Sequence, residues 1–201
     1  GLILPPRLAP YQVVIVPIPR GNWQETVLPK AREIQAALVA ANVRVMLDDR
    51  EAYTPGWKFA EWELRGVPLR IEIGPKDIEK GQVVVARRDT REKSSMPNDN
   101  LGSAVPPLLD EIQRALFERA LKFREEHTTR VSSYDEFKAT MEGRPGFVIA
   151  GWCGSAECEA QIKADTQATL RNIPFGSERI SGTCVRCGKP SSAEAWFAKA
   201  Y

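Results

Sequence analysis

The sequence lacks several of the signals that assign a function directly. Its one histidine, His127, stands at the end of a charged helical stretch, where it can complement the helix dipole. Its isolation argues against a histidine-dependent catalytic triad. Neither a G-x-G-x-x-G loop nor a G-x-x-x-x-G-K-[S/T] loop is present, so nothing indicates a dinucleotide-binding or P-loop protein.

Long apolar runs and a signal peptide are also missing. No stretch approaches the roughly 18 apolar residues that a membrane span needs, and residues 1–6 lack the basic start and cleavage site of a secretory signal. We therefore expect a soluble, cytoplasmic protein with no membrane partner. Because residue 1 is Gly and the chain opens within an apolar element, we also expect a fragment or a processed product.

A strong excess of charge of one sign is absent as well. The net charge is +2, from 28 basic and 26 acidic residues, and residues 146–201 hold 6 and 5 of these. Non-specific binding to a long polyanion is therefore poorly supported, and any contact with nucleic acid would have to be local. With 43% hydrophobic residues, the 201-residue chain can build a core for one or two domains.

The first half alternates between predicted strands and helices. Residues 11–18 form an apolar, β-branched run that is typical of a strand buried on both faces. A helix is predicted for about 22–41 and another from about Trp57, and further strands for 44–47, 68–73 and 82–87. This order predicts an α/β domain with a mixed, mostly parallel sheet flanked by helices.

The second half changes in character. Residues 89–100 are polar without periodicity and indicate a hairpin tip or mobile loop, and helices are predicted for 107–128 and after Ser133, where Glu136 completes a capping box. A break at 144–146 precedes a predicted strand, 147–152, and a small α+β domain. We therefore divide the chain into residues 1–10, 11–104, a helical connection at 105–145, and 146–201.

All four cysteines lie beyond that break, as Cys153-x4-Cys158 and Cys184-x2-Cys187-Gly188. A Cys-x2-Cys-Gly knuckle points two thiolates at one ion, and the first pair would complete a tetrahedral shell. Structural Zn²⁺ is the favoured reading, because four thiolates leave no open coordination position for catalysis. Disulfides and a thioredoxin-like redox pair are the two alternatives.

Residues 48–77 combine a polar turn, an aromatic helix and an apolar strand. Asp48 and Asp49 end a strand and are interpreted as capping residues more readily than as an active site. Trp57 and Trp62 are interpreted as packing residues on one buried helix face. Glu63, Arg70 and Glu72 can be read as a solvated face or as a binding surface.

Three segments of this region, 54–59, 61–68 and 71–77, resemble the anticodon-binding domain of the prolyl-tRNA synthetase family, a class II family, in its archaeal and eukaryotic-like type. The cysteine pairs resemble the zinc-binding C-terminal domain of that family, and 197–201 its aromatic chain end. Residues 4–10 resemble the end of its catalytic domain. The resemblance covers nearly the whole chain, except for 94–104 and 176–181.

The resemblance implies that the chain reads the two guanines at the second and third anticodon positions of tRNA-Pro. Glu63 and Asp77 would accept hydrogen bonds from guanine N1–H and N2–H₂, and Arg70 and Lys76 would donate to O6 and N7. Phe59 would offer a ring for stacking. The reading surface implied is thus Phe59, Glu63, Arg70, Lys76 and Asp77, with Cys153, Cys158, Cys184 and Cys187 as zinc ligands.

The resemblance also implies partners and an activity. The whole protein would be an ATP-dependent proline–tRNA ligase, a homodimer whose ATP and Mg²⁺ act in a catalytic domain that precedes Gly1. This chain would hold no catalytic residue, and the Tyr201 carboxylate would pack toward that domain. The alternative is a stand-alone zinc-containing adaptor with the same fold that binds another RNA or a protein.

Overall fold

A computed structural model describes residues 1–143, 146–177 and 182–200. The chain divides into two compact units, Gly1–Glu118 and Arg119–Tyr201. None of the helices within the described ranges is long and apolar enough to cross a lipid bilayer. The domain limits at 104 and 145 stay a prediction, although the first half of the helix that crosses 104 packs in the core of the first unit.

The first unit contains strands β1 (Val13–Pro17), β2 (Val45–Leu47), β3 (Leu69–Ile73), β4 (Gln82–Arg87) and β5 (Lys93–Pro97). Helices α1 (Trp23–Ala40), α2 (Pro55–Leu64), α3 (Pro75–Glu79) and α4 (Leu101–Glu126) connect or follow them. The strand order is β2-β1-β3-β4-β5. Strand β1 pairs in parallel with β2 and β3, and β4 pairs antiparallel with β3 and β5. The prediction of a mixed α/β sheet is confirmed.

The two faces of this sheet carry separate cores. Leu69, Ile71 and Ile73 pack with residues of α1 and α4 on one face. Val14, Val16 and Trp62 pack with Val67 on the face that α2 covers. Because side chains alternate along a strand, Arg70 and Glu72 of β3 lie on the α2 side. The predicted burial of β1 on both faces is confirmed, since all five of its residues are buried.

One prediction of secondary structure was partly right and another was wrong. Residues 89–92 lie at the tip of a hairpin, as predicted, but residues 93–97 form the edge strand β5, whose exposed, mostly polar side chains give no sign of its pairing with β4. Helix α4 begins at Leu101, although Pro106 and Pro107 lie inside it. Prolines interrupt the hydrogen bonds of a helix interior, but Leu101 and Val105 are buried in the core and stabilise this first stretch.

The second unit contains β6 (Thr128–Arg130), α5 (Tyr134–Gly143), β7 (Phe147–Trp152), α6 (Ala156–Thr166), β8 (Ala168–Asn172) and β9 (Ala193–Lys199). Its strand order is β6-β7-β9-β8, with a parallel β6–β7 pair and antiparallel pairs of β9 with β7 and β8. Phe137 and Phe197 meet edge to face at 5.3 Å in its core. This is the small α+β domain that the sequence predicts.

The capping box before α5 is confirmed, because Ser133 Oγ accepts from the Glu136 amide at 3.3 Å. The predicted break at 144–146 and the role expected for Tyr201 fall wholly or partly outside the described residues.

Candidate nucleic-acid interface and metal centre

Helix α2 is defined at both ends by local sequence. The Thr54 hydroxyl accepts a hydrogen bond from the Trp57 amide at 3.3 Å, and Pro55 occupies the first helical position, which suits its fixed φ. Gly66, with φ +75°, ends the helix in a left-handed conformation that favours glycine. Local residues therefore determine both ends of α2.

A buried carboxylate anchors this helix to the end of β2. Asp48 is 2% exposed and accepts hydrogen bonds from Trp62 Nε1 and Arg50 Nε, both at 2.8 Å. Burial alone would raise the pKa of Asp48, but these bonds and the Lys58 charge lower it to about 2. Asp48 is thus a structural residue, as the sequence indicates. Lys58 is also buried, and its Nζ donates to the Asp48 carbonyl at 3.0 Å.

The prediction that Trp57 and Trp62 share one buried helix face was wrong. Trp57 is 44% exposed and stacks on Tyr53, with the ring centres 3.9 Å apart. Trp57 and Trp62 are five residues apart, so they point about 140° apart around a helix of 3.6 residues per turn. They cannot share one buried face, and Trp62 alone packs in the core.

Three of the predicted reading residues meet on the α2 side of the sheet. Arg70 Nη1 donates to Glu63 Oε1 at 2.8 Å, and the guanidinium lies 4.1 Å from the Phe59 ring centre. The hydrogen bond from Arg70 outweighs partial burial and, with the charges of Arg88 and Arg91, holds the pKa of Glu63 below its usual value. This arrangement keeps the carboxylate ionised and therefore able to accept hydrogen bonds.

Glu72 and Lys93 extend this cluster. Arg70 Nε donates to Glu72 at 3.0 Å, Lys93 Nζ donates to the same carboxylate at 3.0 Å, and Lys93 lies 5.4 Å from the Phe59 ring. Lys93 was not predicted to join this cluster, because it belongs to the polar segment 89–100, for which a hairpin tip or mobile loop was predicted. Strand β5 holds only one charged residue and no alternation of apolar and polar residues, so the sequence pattern gives no sign that Lys93 faces this cluster.

Lys76 and Asp77 lie farther along the chain, in α3. Gly74 separates them from β3 and lies four residues beyond Arg70, or roughly 13 Å along a strand. Asp77 Oδ2 accepts from the Gly74 amide at 2.9 Å and so caps α3, whereas Lys76 is exposed and, among the described residues, has no side-chain partner. The structure therefore places the five predicted residues in two groups.

A cavity of about 130 Å³ opens beside Glu63 and Arg70. Its apolar lining includes Val14, Trp62 and Val67, and its basic rim comprises Arg88, Arg91 and Lys93 from the β4–β5 hairpin. Arg88 is buried and donates to the carbonyls of Leu2, at 3.0 Å, and Glu63, at 3.3 Å. No prediction included this rim, although the segment 87–93 carries a visible local excess of positive charge.

The four cysteines form one cluster in the second unit. Their sulfur atoms lie within 4.8 Å of one another, and Cys153 Sγ and Cys187 Sγ are 3.8 Å apart. Tetrahedral thiolates bound to one zinc ion would be about 3.8 Å apart. All four cysteines are free, so the geometry fits a metal and not a pair of disulfides.

Local backbone features build this cluster. Cys153 follows β7, Cys158 lies in the first turn of α6, and the other pair belongs to a tight turn in which the Gly188 amide donates to the Cys184 carbonyl at 2.9 Å. Gly151 lets this turn approach β7, because a Cβ there would lie 2.4 Å from the Thr183 carbonyl oxygen. Burial raises the pKa of Cys184, but backbone amides, chiefly of Cys187 and Arg186, lower it to about 7.

The pKa of Cys158 moves the other way. Burial and the neighbouring sulfurs raise it to about 12, because several thiolates cannot stay ionised together without a compensating cation. A divalent metal supplies that compensation. The donor set, four thiolates of which Cys184 is 2% exposed, is the one that a structural metal site uses.

Comparison with known proteins agrees with this geometry. Residues 12–107 match a family model described as an anticodon binding domain. The first unit, with its cavity and mixed sheet, therefore defines a protein of the anticodon-binding class.

The particular family follows from the second match. Residues 134–201 match a model described as prolyl-tRNA synthetase, C-terminal, and the chain belongs to the prolyl-tRNA synthetase family. It is 53% identical to proline–tRNA ligase 2 of Clostridioides difficile and 49% identical to the proline–tRNA ligase of Lachnospira eligens, over 100% of this chain and 41% of each relative.

A solved structure gives the same result. The crystal structure of prolyl-tRNA synthetase from Cryptosporidium parvum, complexed with halofuginone and AMPPNP, matches with a TM-score of 0.88 and 37% identity. The match covers 100% of this chain and 43% of that chain. The chain thus spans about two fifths of the length of the relatives that it matches.

Proposed function

We propose that this chain recognises the anticodon of tRNA-Pro for an ATP-dependent proline–tRNA ligase. The observation that carries the proposal is the Glu63–Arg70 pair beside a cavity in a domain of the anticodon-binding class. The ATP, the Mg²⁺ and the aminoacylation chemistry would belong to the catalytic domain of the whole enzyme, which we expect to be a cytoplasmic homodimer. Within this chain we assign no catalytic residue.

The chemistry of guanine suits this cavity. Guanine offers N–H donors on its Watson–Crick edge and O6 and N7 as acceptors, so a reader needs a carboxylate beside a cation. Glu63 supplies the acceptor and Arg70 the donor, and Phe59 contributes a ring against which a base can stack. Recognition would cost Arg70 one of its contacts, because its guanidinium lies over Phe59 and bonds both Glu63 and Glu72.

We place the second guanine at Lys76 and Asp77. Asp77 retains one carboxylate oxygen outside its bond to Gly74, and Lys76 is exposed beside it. Because this pair is separated along β3 from Arg70, the two guanines would be splayed apart and not stacked on each other. Single-stranded anticodon nucleotides are commonly bound in this way.

Binding of an anticodon stem-loop tests the proposal. Replacing either guanine of a proline anticodon should weaken binding to the 201-residue chain by roughly 1–3 kcal/mol, measured by fluorescence anisotropy. A stem-loop with a non-proline anticodon is the control. Equal affinity for the two stem-loops would refute anticodon reading and favour the adaptor function considered above.

We also propose that the cysteine cluster holds one structural Zn²⁺ through Cys153, Cys158, Cys184 and Cys187. The ion would supply the positive charge that lets four thiolates coexist, and it would tie β7 and α6 to the Cys184–Cys187 turn. After dialysis, elemental analysis should find one zinc per chain, with no thiol reactive until a chelator is added. Absence of zinc together with four titratable thiols would contradict this assignment.

A further inference from the structure

Most cations around the Glu63–Arg70 cavity are already engaged. Arg70 bonds two carboxylates, Lys93 bonds one of them, and Arg88 is buried against main-chain carbonyls. Arg87 bonds Asp89 and Glu111. These groups shape the cavity, but their charge is largely compensated by protein atoms.

Arg91 differs from all of them. It is exposed and, within the part of the chain that the structure describes, its guanidinium has no hydrogen-bond or ion-pair partner. It nevertheless lines the cavity, and its charge is one of those that act on the Glu63 carboxyl. Its φ of 65° lies in the left-handed region, which favours glycine. An arginine at this position therefore does not stabilise the backbone conformation of the turn.

A guanine that enters this cavity brings its phosphate with it. The base can be matched by Glu63 and Arg70, but the phosphate is an anion that must lie near the carboxylates of Glu63 and Glu72. Such an arrangement is unfavourable unless a free cation stands beside it. In RNA recognition, an arginine guanidinium supplies this positive charge and forms paired hydrogen bonds to the phosphate oxygens.

We propose that Arg91 binds a backbone phosphate of the RNA strand whose base enters the Glu63–Arg70 cavity. This inference rests on the proposed anticodon function. It adds a contact that positions the RNA without reading its sequence, at the tip of the β4–β5 hairpin. Specificity would come from Glu63 and Arg70, and Arg91 would contribute a part of the affinity that does not depend on the RNA sequence.

The variant Arg91→Gly tests this inference with little risk to the fold, because glycine suits the positive φ at this position. We expect roughly tenfold weaker binding to a proline anticodon stem-loop at moderate salt. The slope of log K against log salt should fall in magnitude by about 0.7, the value for one contact to a single strand. Arg91→Lys, which keeps the charge, should restore most of the affinity, and the thermal midpoint of Arg91→Gly should not decrease.

Arg114→Ala is the matched control. Arg114 lies on α4, which packs on the opposite face of the sheet, so losing its charge should leave both the affinity and the salt slope unchanged. An equal effect of the two variants would mean that only total charge matters, and it would overturn the inference.

Guanine substitutions in the same stem-loop separate this inference from the function on which it rests. If Arg91 binds phosphate, the penalties for replacing either guanine persist undiminished in Arg91→Gly. Loss of one penalty would make Arg91 a base reader and overturn the phosphate assignment. Wild-type affinity and salt slope in Arg91→Gly, with both penalties intact, would also overturn it, whereas absent penalties in the native chain would refute anticodon reading itself.

Discussion

Asp48 shows how a single carboxylate holds helix α2 in place. It is buried, and it accepts from Trp62 in α2 and from Arg50, while Lys58 of the same helix lies 3.7 Å away. The orientation of α2 determines where Phe59 and Glu63 stand. Asp48 does not line the cavity, but it supports the geometry of the cavity through α2.

The depressed pKa of Asp48 predicts a specific dependence of stability on pH. An unfolded aspartate titrates near pH 3.9 and the folded one near 2, so the carboxylate contributes about 2–3 kcal/mol above roughly pH 5. This contribution falls to about half by pH 3 and is lost as the pH falls through 2. Urea denaturation should show Asp48→Asn to be about 3 kcal/mol less stable at pH 7, with a smaller deficit at pH 3.

The neighbouring Asp49 is the control for that measurement. Its side chain is 44% exposed and lies 3.8 Å from Arg32, so Asp49→Asn should change the free energy of unfolding by less than about 0.5 kcal/mol. A deficit for Asp48→Asn that stays constant from pH 7 to pH 3 would contradict the account of its pKa.

Among the elements, the Cys184–Cys187 turn depends on its approach to β7. The Val185 amide donates to the Gly151 carbonyl at 2.9 Å, and the absence of a side chain at Gly151 allows this distance. The Cys-x2-Cys-Gly spacing predicts the turn from the sequence. Nothing in that spacing identifies Gly151 as the residue that leaves room for the turn beside β7.

Gly151→Ala should therefore weaken metal binding. The added Cβ would meet a backbone oxygen at 2.4 Å, so the turn must shift away from Cys153. We expect metal affinity, measured by competition with a chromogenic chelator, to fall by about tenfold or more. Gly143→Ala is the control, because a Cβ there meets nothing within 4 Å, and an unchanged affinity in both variants would refute the role of Gly151.

The elements also show where sequence reasoning succeeds and fails. Buried strands such as β1 and capped helices such as α2 can be predicted from local patterns, because apolar runs and turn residues determine the structure of the segment in which they lie. Strand β5 does not, because its pairing with β4 comes from main-chain hydrogen bonds and leaves polar side chains in water. The same failure hid Lys93 and the basic rim of the cavity.

At the scale of the site, the family resemblance grouped Phe59, Glu63 and Arg70, and the structure places these three side chains in contact, while their role in binding RNA stays a prediction. It did not show that Glu72 and Lys93 complete their network, or that Asp77 is partly used in capping α3. Such contacts depend on how β3, α3 and β5 lie next to each other, and that arrangement has no signature in the spacing of residues along one chain.

On the scale of the whole molecule, the chain combines two different tasks. The first unit contains the Glu63–Arg70 cavity and is an anticodon-binding domain. The second unit is built around a small core and a four-cysteine cluster and has the C-terminal domain of prolyl-tRNA synthetases. The chain spans 41% of the length of the curated relatives that it matches, and the RNA-reading role that we propose for it uses residues of the first unit alone.

The most direct test of the proposed role asks whether the Glu63 carboxylate recognises the 2-amino group of an anticodon guanine. Inosine lacks the 2-amino group of guanine, so placing it at the second or third position of a proline anticodon removes one donor. We predict that inosine costs the native chain roughly 1–3 kcal/mol at one of these positions and that this penalty disappears in Glu63→Ala. An equal penalty in the native chain and the variant at both positions, or none in the native chain, would contradict guanine recognition by Glu63.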